Sequence, residues 1–185
     1  MDASSWREEP IIPLLSLIQT EEALSEIERA LKTFKCKINI DEQDFIQNKA
    51  IVFERENRAR TYLVYDITYT KLLGYFTVAF KSIELNNISK NKRKVITAGE
   101  STEVYAAYLI GHVAKNCRFK DEITGKQLLE YSKNVIAEAR DLVGGRIIYI
   151  DCKDNEKLKD FYEENGFKYF KTSEKTGLLQ FYKKI

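Results

Sequence analysis

Histidine, tryptophan and methionine each occur once in these 185 residues, and proline only twice, at Pro10 and Pro13. A lone His112 leaves no His-rich metal site. Cys36, Cys117 and Cys152 are odd in number and too widely spaced for a disulfide framework or a CxxC zinc knuckle. No apolar run approaches the ~18 residues that a membrane span needs. An excess of one charge is also missing. Lys+Arg number 30 and Asp+Glu 28, a net +2, so no global basic surplus draws in a polyanion. Met1 to Pro13 carries Asp2, Arg7, Glu8 and Glu9 without an apolar segment of signal-peptide length. Free cysteines without an export signal predict a reducing, cytoplasmic setting.

What is present is a balanced, apolar-rich chain. Its 44% hydrophobic residues exclude intrinsic disorder, and its length predicts a single domain over 1–185 with a sizeable core. Leu14 to Ile18 reads as a first strand. Thr20 reads as an N-cap, followed by helical spacing of Ala23, Leu24, Ile27, Ala30, Leu31 and Phe34. A second helix is expected after Asp41, with Phe45, Ile46, Ala50 and Phe53 on one face. Thr61–Tyr65 and Leu72–Ile83 then predict a hairpin turning near Asp66.

Asn86 to Glu103 reads as a polar loop carrying Lys90, Lys92, Arg93 and Lys94. Such a basic run is usually a solvated surface, although it could also contact phosphates. Val104–Ala114 is a long strand. Thr124 caps a helix whose inward residues would include Leu128, Leu129, Val135, Ile136, Leu142 and Val143, stopped by Gly144-Gly145. Ile147–Ile150 has the all-apolar character of a buried parallel strand. Asp154 can cap the next helix, with Leu158, Phe161 and Tyr162 inward, before two closing strands at Phe167–Phe170 and Leu178–Tyr182. This order predicts an α/β (α+β) fold with a mixed sheet and helices on its faces.

The last third also carries a family pattern. Asn155, Phe161-Tyr162 and Gly166-Phe167, at this spacing, resemble the closing signature of GNAT-superfamily N-acetyltransferases. The element order is similar to theirs over nearly the whole chain. Leu109 to Asn116 is similar to a run of toxin-type members, and Lys49 to Asp66 resembles those members more loosely. The residues from Arg118 to Gly125 then fall on the family's pyrophosphate loop, Arg/Gln-x-x-Gly-x-Gly/Ala. Lys120 stands at its first position and Gly125 at its last, whereas Ile123 replaces the middle glycine. Asp121 and Glu122 are acidic where small or basic residues are usual.

The resemblance implies a mostly antiparallel, twisted sheet with a splayed central strand. It implies transfer of an acetyl group from acetyl-CoA to a primary amine, with no metal. Main-chain groups of Val113, Ala114 and Lys115 would hold the pantetheine arm. Lys120, Asp121, Glu122, Ile123, Thr124, Gly125 and Lys126 would bind the pyrophosphate with free N–H groups and a helix end. The plainer reading makes that segment a solvated loop that only caps a helix. A β-branched residue is disfavoured at positive φ, so a binding loop requires Ile123 at negative φ.

Tyr162 matches the tyrosine that protonates the departing thiolate; otherwise it is a core aromatic. Asn155 would hydrogen-bond near the cofactor arm or serve as an ordinary first-turn residue. His112 could act as a base, although a lone strand histidine is more often structural. In the toxin-type alternative the acceptor is aminoacyl-tRNA and an antitoxin is the partner. A third reading is a non-catalytic protein with an altered loop. The aromatic C-terminal strands could pair in a homodimer.

Overall fold

The computed structural model describes residues 10–185, so the charged residues Asp2, Arg7, Glu8 and Glu9 lie outside it. Its seven strands, β1 (Ile11–Pro13), β2 (Arg60–Tyr65), β3 (Leu72–Glu84), β4 (Val104–Lys115), β5 (Ile147–Cys152), β6 (Lys168–Thr172) and β7 (Leu179–Lys184), form one mixed, mostly antiparallel sheet ordered β1-β2-β3-β4-β5-β7-β6. The helices are α1 (Glu21–Lys32), α2 (Ile40–Asp44), α3 (Ala50–Arg55), α4 (Lys90–Thr97), α5 (Gly125–Val143) and α6 (Glu156–Glu164). None of the described helices is long and apolar enough to cross a membrane. Two compact units divide the chain. One contains residues up to Thr77 together with His112–Lys133, the other Val78–Gly111 together with Asn134–Ile185.

In the first unit, β1 pairs antiparallel with β2, with Ile12 opposite Leu63. Leu14–Leu17, expected as strand, is a 3-10 turn instead. The Pro13 ring cannot donate to a ladder, so pairing ends there. Thr20 caps α1 as expected, its hydroxyl accepting from the Ala23 N–H at 3.2 Å. The helix buries Leu24, Ile27 and Leu31 against Phe34, Ile46 and Leu63. The next helical segment starts two residues earlier than expected, because Asn39 supplies the cap by accepting from the Asp41 N–H.

Between α2 and α3, residues Phe45–Lys49 form a π-helical turn in which the Ala50 N–H reaches back to the Phe45 carbonyl. The extra residue lets Phe45, Ile46 and Ala50 all face the core. The hairpin turn is built on Asp66. Its carboxylate accepts from the N–H groups of Thr70 and Lys71, both at 2.8 Å. Gly74 is required by close approach, since a Cβ there would meet the Ala114 carbonyl oxygen at 2.9 Å.

In the second unit, β4 runs parallel to β5 for two residue pairs, Tyr108–Ile148 and Leu109–Tyr149. β5 and β7 pair antiparallel over six positions. Ile83, Leu85, Ile96, Ala107, Ile147 and Phe170 make the core. The segment expected as loop contains α4. Its Ser89 N-cap accepts from the Lys92 N–H, and Ala98 ends it in the left-handed conformation. Gly144 and Gly145 stop α5 at positive φ, and the Gly145 backbone lies against the Tyr108 ring. Leu142 and Val143, expected inward, are exposed at 86% and 65%, because the last turn of α5 runs past the core.

Candidate active site

The loop that follows β4 is tied down by one buried side chain. Asn116 donates from its amide to the Leu72 carbonyl at 2.9 Å, and its Oδ1 accepts from Lys35 N and Arg118 N, both at 3.2 Å. Its own N–H reaches the Leu73 carbonyl at 2.7 Å. A 3-10 turn over Cys117–Phe119 comes next. The Lys115 ammonium crosses back to the Lys120 carbonyl at 2.9 Å and so closes a short ring of chain around residues 115–120.

Ile123 is 1% exposed and lies outside the positive-φ set, so its side chain plugs the core beneath the loop. Thr124 and Gln127 cap α5 reciprocally. The Thr124 hydroxyl accepts from Gln127 N at 3.1 Å, and the Gln127 carboxamide oxygen accepts from Thr124 N at 2.9 Å. Among the described residues no acceptor takes the N–H groups of Ile123, Gly125 and Lys126. They lie at the positive end of a 19-residue helix. Glu122, the acidic departure in the loop, is neutralised by Lys71, whose ammonium is 2.9 Å from both carboxylate oxygens. Lys120, Asp121 and Lys126 are exposed. The segment therefore has donors, a helix end and a net balance that fit an anion of pyrophosphate type.

A second cluster in the same unit surrounds His112 on β4. Its Nδ1 lies 2.9 Å from Glu42 Oε2, and its ring stacks on Phe45 with centroids 3.8 Å apart. The Tyr75 hydroxyl donates to the Glu42 carbonyl at 2.7 Å and to Glu42 Oε2 at 2.9 Å. Burial, with the Glu42 charge added, pushes the Tyr75 phenol well above its ordinary value, so it remains a proton donor. Val113 and Lys115 are half-buried and Ala114 is buried.

In the second unit, Tyr162 is 9% exposed and packs edge-on against Phe161 and Phe167 and beside Phe181. The cap of α6 is Asn155 rather than Asp154, its Oδ1 accepting from Leu158 N at 3.3 Å. Asp154 is one residue too far from the helix start to reach that N–H. The basic cluster lies on α4, and its cations divide. Lys92 donates to the Tyr169 and Phe170 carbonyls and Arg93 to the Leu85 carbonyl, while Lys90 and Lys94 are exposed. Half of the run thus stitches backbone together. Among the described residues no group of three or more His, Cys, Asp or Glu could hold a metal ion.

Sequence reasoning named the loop and Tyr162 but not four side chains that the structure brings to the loop and to His112: Lys71, Asn116, Gln127 and Glu42. Only Gln127 left a local signal, the Thr-x-x-Gln pattern of a reciprocal cap. The others act across long stretches of chain.

A seven-stranded mixed sheet of this order, with a short parallel β4–β5 contact and a helix opening directly after the loop at the end of β4, is the GNAT fold. No family model matches the sequence, and no curated protein matches it either. Solved structures do. AtaT complexed with acetyl-methionyl-tRNAfMet is 22% identical, over 94% of each chain, with a TM-score of 0.70. A bacterial toxin is 14% identical over 96% of this chain and 92% of that one, with a TM-score of 0.73. AtaTR bound with acetyl-CoA is 18% identical over 96% and 93%, with a TM-score of 0.66. At these identities the likeness establishes the fold.

Proposed function

We propose that residues 1–185 work as one cytoplasmic, acetyl-CoA-dependent N-acetyltransferase of the toxin type, with the α-amine of an aminoacyl-tRNA as acceptor. The observation that carries this reading is the match over nearly the full length of both chains to AtaT holding acetyl-methionyl-tRNAfMet. AtaT is also seen with acetyl-CoA and the C-terminus of its antitoxin AtaR. An antitoxin is accordingly the protein partner proposed for this chain.

Acetyl-CoA supplies the activated acetyl group. Main-chain groups of Val113, Ala114 and Lys115 hold its thioester arm, and an N–H there can donate to the carbonyl oxygen as negative charge develops on it. The N–H groups of Ile123, Gly125 and Lys126 receive the pyrophosphate, with Lys120 and Lys126 adding positive charge. Lys71 removes the repulsion that Glu122 would otherwise exert. Tyr162 donates its hydroxyl proton to the departing thiolate. Asn155 contributes by capping the helix that bears Tyr162. Exposed Lys90 and Lys94 are available to tRNA phosphates.

The test uses the purified chain with acetyl-labelled acetyl-CoA and Met-tRNAfMet. Label should appear in acid-insoluble N-acetylmethionyl-tRNA, and calorimetry should show micromolar binding of acetyl-CoA. Absence of binding at millimolar ligand would overturn the enzymatic reading and leave a non-catalytic protein. Binding with transfer to small amines but not to charged tRNA would retain the acetyltransferase and remove the toxin assignment. Tyr162→Phe should lower turnover about 100-fold while acetyl-CoA still binds. Equal turnover would take Tyr162 out of the acid role.

A further inference from the structure

The acceptor amine must lose a proton as it attacks, and the acid Tyr162 cannot also take it. We propose that His112 is the general base of this site and that Glu42 positions it. The inference rests on the acetyltransferase reading above and is carried by geometry within the first unit.

Glu42 Oε2 is 2.9 Å from Nδ1. A carboxylate only accepts, so in the neutral imidazole Nδ1 carries the hydrogen and Nε2 keeps its lone pair. Among the described residues Nε2 has no partner. Glu42 is itself fixed on the other side by the Tyr75 hydroxyl, and its carboxylate is 16% exposed. The imidazole is 30% exposed, held flat on Phe45 at 3.8 Å. Its main-chain N–H donates to the Thr77 hydroxyl at 2.9 Å. Tautomer, tilt and position of the ring are therefore all determined, and the one free atom is the basic one. The arrangement is the base-plus-orienting-carboxylate logic of hydrolytic triads without a protein nucleophile.

His112 immediately precedes the strand segment 113–115 assigned to the thioester arm. In the step, the amine lone pair forms the C–N bond to the thioester carbon and an N–H proton passes to Nε2. The C–S bond breaks with its electron pair on sulfur, and the thiolate takes the Tyr162 proton. The imidazolium then releases its proton to water, and the Tyr162 phenolate regains one from water. The titratable groups facing His112 and Glu42 are Tyr75 on β3 and the Cys36 thiol before α2. Burial raises both above their ordinary values, so neither ionises across the range in question.

The experiment measures transfer from acetyl-CoA to Met-tRNAfMet as a function of pH for wild type, His112→Gln and Glu42→Gln, with circular dichroism as the folding control. His112→Gln should lose about 100-fold or more in kcat near neutrality, with KM for acetyl-CoA changed less than about twofold, and should lose the acidic limb of its profile. A rate and limb like those of wild type would overturn the proposal. Glu42→Gln removes the carboxylate that fixes the ring tautomer, so kcat should fall about tenfold while KM for acetyl-CoA changes less than about twofold. A Glu42→Gln turnover equal to that of wild type overturns the positioning role, even where His112→Gln fails to fold. Because the chain has one histidine, its ring nitrogens also give an isolated NMR signal set. Wild type should show the Nδ1–H tautomer, and an Nε2–H tautomer would refute the geometry without any activity assay. A wild-type chain that binds acetyl-CoA but transfers nothing defeats the functional reading and this one together. Transfer with a pH profile indifferent to both variants defeats this one alone.

Discussion

Placing at position 123 the middle glycine of the GNAT pyrophosphate-loop pattern should damage this protein rather than improve it. Ile123 is 1% exposed and sits at negative φ, so no backbone need for glycine exists and a packed side chain would be lost. Removing its four carbons forfeits about 3 kcal/mol of burial at ~0.8 kcal/mol per methylene. The cavity and the added freedom of glycine bring the total to about 4 kcal/mol. At this chain length that lowers the melting temperature by about 8–16 °C. Against a typical stability of about 5–15 kcal/mol the variant stays largely folded and can be assayed. Urea titration gives the stability change, and calorimetric titration with acetyl-CoA gives the second half of the test. Affinity should be no tighter than wild type, because the N–H groups at Gly125 and Lys126 owe nothing to the identity of residue 123. Ile123→Val should cost only about 0.5–1.5 kcal/mol. A glycine variant within about 1 kcal/mol of wild type that bound acetyl-CoA about tenfold tighter would refute the argument, since Ile123 would then be an obstruction rather than a plug.

Two further outcomes follow from charged groups. Lys71→Met should weaken acetyl-CoA binding about fivefold at low salt and less at high salt, because Glu122 then faces the anion without its counter-ion. Its effect on stability should stay below about 1 kcal/mol, as both partners are well exposed. An affinity indifferent to both the substitution and salt would remove the 120–126 segment from the binding site. Asp66 is held down from 3.8 to about 2, first by the Thr68 hydroxyl and then by the N–H groups around its turn. A depressed folded pKa contributes stability above the unfolded value and loses it as pH falls through the folded one. Urea midpoints should therefore drop between about pH 4 and pH 2 in wild type, and Asp66→Asn should flatten that drop. Parallel curves would show that the turn does not hold the ionised form.

Where local pattern and tertiary packing agree, as in α1 with its Thr20 cap or the all-apolar β5, the sequence is legible. α4 was not, because Lys90 and Lys92 crowd the positive end of the helix and only Ile96 and Thr97 are buried. Leu142 and Val143 continue the helical period of α5 past the point where anything packs on it, and periodicity cannot report where a core stops. At the site, the steric rule against a β-branched residue at positive φ placed Ile123 at negative φ, and the structure agrees. Lys71 and Glu122 are 51 residues apart and Glu42 and His112 are 70 apart. No window along the chain contains either pair, and only the fold brings them together.

The π-helical turn at Phe45–Lys49 fixes something beyond local geometry. A helical segment one residue shorter would close as regular α-helix and rotate everything before it by about 100°. Glu42 would swing away from His112, and Phe45 would leave its stacking position. The number of residues between Asn39 and Glu56 is thus a calibrated spacing that couples a helix to one atom on the neighbouring strand. Single-residue insertions and deletions in that stretch therefore uncouple Glu42 from His112 without touching either residue.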